Sequence, residues 1–66
     1  MDAYYVRLAR TTLGKAINEL ERTQEYLVRA GDCRPQIERI EAQMRRLQKQ
    51  QAELMAFLRD GVAEEQ

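Results

Sequence analysis

Leu27-Val28-Arg29-Ala30-Gly31-Asp32-Cys33-Arg34-Pro35-Gln36-Ile37 reads as a helix that stops, a short turn and a helix that starts. Glycine enters the left-handed region without a Cβ penalty, so Gly31 is the natural stop for the first helix. Proline lacks an N–H, which costs nothing in a first helical turn, and Pro35 therefore suits the start of the second. The residue before proline is biased away from the α region, which places Arg34 outside that helix. The expected order is helix 1 over about 2–30, a turn over 31–34, helix 2 over about 35–60 with Gly61 as its stop, and a short acidic tail over 61–66.

Outward from the turn, apolar residues repeat every seven positions. Helix 1 has a large row, Val6, Leu13, Leu20 and Leu27, and a small row, Ala9, Ala16, Thr23 and Ala30. Helix 2 has Ile37, Met44, Gln51 and Leu58 in one row, and Ile40, Leu47 and Leu54 in the other, which ends at Gly61. Rows spaced this way have the period of about 3.5 residues that marks helix-on-helix packing. Arms of about 26–29 residues are roughly 40 Å long at the helical rise. Matched lengths and a short connection favour antiparallel neighbours. The fold class expected is therefore all-α: an antiparallel two-helix hairpin, completed as a four-helix bundle by dimerisation or by docking on a helical partner. In that hairpin the small row would face helix 2 and let the helices approach closely.

Local signals agree. Asp2 is a good N-cap for helix 1 and sets negative charge at the positive end of its dipole. Glu25 with Arg29, and Glu41 with Arg45, are i,i+4 pairs in the favourable order. Gly14 costs about 1 kcal/mol against alanine in a helix interior. The periodicity nevertheless predicts a helix running through it, with a bend near Thr11, Thr12 and Gly14 as the alternative. Gln51 interrupts the seam. It is either an edge residue reaching water or a buried amide that fixes register, which requires hydrogen-bond partners.

Composition narrows the function. A chain of 66 residues buries a low fraction of its surface. Disulfides, a metal or association usually supplement so small a core. One cysteine, Cys33, forms no internal bridge, and the absence of histidine removes the Cys/His zinc sites. Association with a second copy or with another protein is the expected stabiliser. Eleven basic and eleven acidic residues are interspersed at zero net charge, which disfavours a nucleic-acid binder. No apolar run reaches the ~20 residues of a membrane span, and no signal-peptide pattern is present. Glu19, Glu21 and Glu25 argue against a transit peptide. A lone cysteine without a leader fits the cytoplasm. Arginine in excess of lysine, with no serine, suggests a bacterial or phage coding bias.

Little here suits an enzyme. Without histidine and serine, Ser–His and Cys–His nucleophilic systems cannot form within one chain. The three glycines are isolated, so no phosphate-cradling loop is present. No enzymatic activity and no cofactor are expected. Cys33 is the one reactive group, either an incidental turn residue or a redox or intersubunit contact.

Two surfaces remain. The open end, where the start of helix 1 meets the end of helix 2, gathers Tyr4, Tyr5, Val6 and Leu8 with Leu54, Met55, Phe57, Leu58 and Val62. That exceeds what one seam buries, so Tyr4, Tyr5, Leu8, Met55 and Phe57 are the expected partner-binding residues. Ile17, Tyr26 and Val28 also fall off the expected seam, as they would with more than one neighbouring helix. Arg39, Arg45, Arg46 and Lys49 form a basic run on helix 2. A solvated face accounts for them, and a nucleic-acid backbone contact is the alternative, although no aromatic is interleaved to stack on bases.

The small and large rows resemble the architecture of the Rop plasmid-copy-number proteins, homodimeric four-helix bundles that bind paired RNA loops. Gly31, Cys33, Pro35, the run from Gln48 to Gln51, Ala52 and Leu54 resemble the small YscE-type co-chaperones of type III secretion. Those are helical hairpins that pair with a helical-repeat chaperone. This second resemblance covers about half the chain. It implies a protein-binding hairpin. The function expected is a non-enzymatic interaction module, a small co-chaperone, adaptor or inhibitor, with a Rop-like homodimeric RNA-binding regulator or a purely structural oligomerisation element as the alternatives.

Overall fold

The computed structural model describes the backbone of residues 2–65 and the side chains of residues 2–60. Two helices, α1 (Ala3–Ala30) and α2 (Arg34–Glu65), pack along their length as a hairpin measuring 53 × 15 × 12 Å. The described residues contain no strand.

Each terminus of α1 is fixed by the residue type the sequence supplies. At its start Asp2 is extended (φ −82°, ψ 115°), and its Oδ1 accepts the Tyr4 backbone N–H at 2.9 Å. That satisfies one of the donors a helix start leaves free. At its end the Gly31 N–H donates to the Leu27 carbonyl at 3.2 Å, and Gly31 turns to φ 82°, ψ 155°. This backbone conformation is essentially confined to glycine. The left-handed position passes instead to Asp32 (φ 52°), a residue type that tolerates it.

The turn is one residue shorter than expected. The Ile37 N–H donates to the Cys33 carbonyl at 2.9 Å, so α2 begins at Arg34, with Pro35 still inside the first turn. A proline there breaks no hydrogen bond because the first-turn N–H groups have no helical acceptor. At the other end α2 runs through Gly61 to Glu65, past the expected stop. Glycine weakens a helix by only about 1 kcal/mol, and the alanine and glutamates that follow are good helix formers. The side chain of Val62 lies outside the described residues. α1 likewise runs unbroken through Gly14.

The seam corrects one of the sequence expectations. On α2 it follows the expected rows: Ile37, Met44, Gln51, Ile40, Leu47 and Leu54 are half-buried, and Leu58 is buried. On α1 the leucine row also faces inward, with Val6 buried. Its companion is not the small row, however, because Ala9, Ala16, Thr23 and Ala30 are all exposed. The companion row is Ala3, Arg10, Ile17 and Gln24, and Ile17, expected off the seam, is only 6% exposed. The physical reason is volume. Burying an isoleucine removes far more apolar area from water than burying an alanine. The other members of the row tolerate the position: Arg10 is half-buried, and an arginine can cover apolar surface with its stem while its charge stays in water. Gln24 Nε2 donates to Glu41 Oε1 at 2.9 Å across the seam. Glu41 is thus turned toward Gln24, and neither expected pair, Glu25–Arg29 or Glu41–Arg45, forms an ion pair among the described residues.

Gly14 is explained by the residue opposite. A Cβ built there would stand 3.2 Å from Gln51 Nε2, so the missing side chain makes room for that amide. Gln51 is half-buried, and among the described residues no buried side-chain polar atom lacks a partner.

Candidate functional site

Among the described residues the core of the hairpin consists of Val6, Ile17 and Leu58, each 6–8% exposed, and no side chain is completely enclosed. Everything else the sequence could use for function lies on the outside, on three surfaces set by heptad position.

The first is the open end. Asp2 caps α1 so that Tyr4 and Tyr5 fall in its first turn, and their rings meet edge to face with centroids 5.2 Å apart. Tyr4 is 60% and Tyr5 66% exposed, and Leu8, one turn beyond Tyr4, is also exposed. These three cover adjoining positions on the outward side of α1. Met55 is exposed on one flank of α2, lining a groove with Arg7, Arg10 and Leu58. Phe57 is half-buried on the opposite flank, in the row of Gln43 and Gln50. The five expected partner-binding residues therefore wrap around the open end. The two tyrosines and Leu8 form one cluster, and Met55 and Phe57 stand on either side of α2.

The second surface is basic. Arg39, Arg45, Arg46 and Lys49 are all exposed on the side of α2 turned away from the seam. None of them forms an ion pair among the described residues. Arg39 and Arg46 stand one heptad apart beside a shallow groove that also includes Ile40, Ala42 and Gln43. Glu38 and Glu53 interrupt the field at either end.

The third surface is the row displaced from the seam. Ala9, Ala16, Thr23 and Ala30 form one exposed edge of α1, and the next row outward is Tyr5, Thr12, Glu19 and Tyr26. Only Glu19 among these residues carries a charge, and Arg22 already stands 3.5 Å from it. Tyr26 is 61% exposed. The opposite flank of α1 carries Arg7, Glu21 and Glu25 and is polar by comparison. Sequence reasoning placed the alanines in the seam and so missed them as surface. The signal available was the width of the apolar stripe on α1, three rows rather than two, which is more than one helix neighbour covers.

At the turn, half-buried Cys33 lines an open groove with Leu27, Val28, Ile37, Glu38 and Glu41. No group of acidic or cysteine side chains suited to a metal ion occurs among the described residues. No helix of the described residues is long and apolar enough to cross a membrane.

Compared with models of known protein families, with curated proteins and with solved structures, the chain matches none of them.

Proposed function

We propose that this chain is a non-enzymatic protein-interaction module, one hairpin of a larger helical bundle, working as a small co-chaperone, adaptor or inhibitor. The observation that carries the reading is the imbalance between core and surface. Among the described residues three are buried, whereas Tyr4, Tyr5, Leu8, Tyr26, Val28 and Met55 are all large, apolar or aromatic, and exposed. A two-helix layer has no third element to cover them, and aromatic side chains and methionine are the types enriched at interface cores. The test is the thermal unfolding of the pure protein, followed by helical circular dichroism over a wide range of concentration. A module of this kind melts at a temperature that rises with concentration, or stays poorly helical until its partner is added, because binding stabilises only the folded state. A monomer with a high melting temperature independent of concentration would sink the reading.

The outward basic face of α2 supports a second reading, a homodimer that contacts RNA through Arg39, Arg45, Arg46 and Lys49. Phosphate contacts require spaced cations and little else. Binding to structured RNA that weakens steeply with salt, and is lost in Arg39→Glu/Arg46→Glu, is the expected result. No retardation of any structured RNA at low salt disposes of it.

A further inference from the structure

The uncovered flank of α1 has an internal symmetry that specifies its occupant. Resting on the reading of the chain as an interaction module, we propose that a second copy of this chain packs there, α1 against α1 and antiparallel, with the two-fold axis passing beside Ala16.

Three observations converge on a second copy. The chain exposes 5371 Å². A compact monomer of 7.8 kDa is expected to expose about 4400 Å². The excess of about 1000 Å² is close to the roughly 800 Å² each partner buries in a stable complex. The two rows of the flank carry a single charge, Glu19, which faces Arg22, and Lys15, Arg22 and Arg29 stand only along the outer border, so a charged partner has little to recognise there and an identical flank meets it with its charges at the rim. Finally, a two-fold interface must be self-complementary, and this one is. Reversing α1 about Ala16 sets Ala16 against the second copy's Ala16 and Ala9 against its Thr23. Within one residue of that register, Tyr5 comes beside the second copy's Tyr26, and Thr12 beside its Glu19, a hydroxyl near a carboxylate. Small residues lie in the middle, where two helices must approach, and a tyrosine closes each end. The flank also stands about a quarter turn of the helix from the seam, the relation between a helix's two neighbours in a four-helix bundle. The row that the seam left out thus becomes the second seam, with the leucine row shared between them.

The test uses the whole chain with Cys33→Ser to remove the native thiol. Sedimentation equilibrium is expected to give a dimer, and Ala16→Glu, which alters an exposed residue of the hairpin, is expected to raise the dissociation constant at least about tenfold. Because a charged variant can also weaken folding, a second measurement asks for a gain. Ala16→Cys, oxidised with copper–phenanthroline, is expected to form a disulfide-linked dimer in high yield. Arg22→Cys, on the exposed row of Lys15 and Arg29 beyond the flank, is expected to stay uncoupled. Efficient coupling at position 22 without coupling at 16, or a monomer in solution, overturns the proposal. Circular dichroism then separates the two failures. A poorly helical monomer overturns the second copy and leaves the interaction module standing, whereas a stably helical monomer removes both.

Discussion

The turn end and the open end of the hairpin are held together by different kinds of force. At the turn the determinants are local and directional: Gly31 in a conformation nearly reserved for glycine, Asp32 at φ 52°, and the Cys33 carbonyl accepting the first hydrogen bond of α2. At the open end Asp2 caps α1, its Oδ1 and carbonyl accepting the Tyr4 and Val6 N–H groups, but what joins the two helices there among the described residues is burial of Val6 and Leu58. Local geometry defines one conformation and needs no partner. Burial of a few side chains at an end that also exposes Tyr4, Tyr5, Leu8 and Met55 leaves contacts unmade. The turn therefore specifies the hairpin, and the open end is where stability still depends on what else is bound.

Substitutions can set the two ends against each other, with urea-denaturation midpoints at fixed protein concentration as the measure. Leu58→Ala removes one of the two buried side chains that close the open end, and is expected to cost about 2–3 kcal/mol. Equal stability to the parent would mean that the open end is not closed by burial. At the turn, Gly31→Ala forces a Cβ onto a backbone that excludes it, for an expected loss of about 2 kcal/mol. Because a strained turn and an emptied core are independent, the double variant should lose the sum of the two, within a few tenths of a kcal/mol. Asp2→Ala removes only one hydrogen bond at an exposed helix start, for an expected loss of about 1 kcal/mol. That loss should show as fraying of the first turn of α1, in amide exchange at Tyr4 and Tyr5, with Ile37 at the turn unchanged.

The hairpin itself was legible in the chain because its signals are local or periodic. Gly31, Pro35 and Asp2 act within a few residues of themselves, and the rows of α2 repeat without ambiguity. The seam of α1 was not legible. Its leucine row has an eligible companion on each side, Ala9–Ala16–Thr23–Ala30 on one and Ala3–Arg10–Ile17–Gln24 on the other. A pattern of residue types favours the first, since it contains no charge. Packing chose the second, since Ile17 carries volume, Arg10 can extend its charge to water, and Gln24 has Glu41 to bond with. A binary apolar pattern does not contain that information, which belongs to pairs of residues on different helices. The same holds for the candidate surfaces. Exposure of Tyr4, Tyr5, Leu8 and Met55 follows from a surplus that can be counted along the chain. The width of the apolar stripe on α1 hints at the flank around Ala16, but its exposure follows only when the true seam is known.

Gly14 and Gln51 have a consequence for how this sequence is free to change. A Cβ at position 14 would stand 3.2 Å from the Gln51 amide, which would have to shift by a few tenths of an ångström, so the two positions are coupled. Diverged versions of the chain should carry glycine at 14 only where 51 is long, and alanine or serine at 14 where 51 is short. A library randomised at both sites and selected for folding should return that anticorrelation. The same notch restricts sliding of one helix past the other by a heptad, which would press the Gln51 amide against a helix surface that has no glycine to receive it. A residue that weakens its own helix thereby helps to set the alignment of the pair.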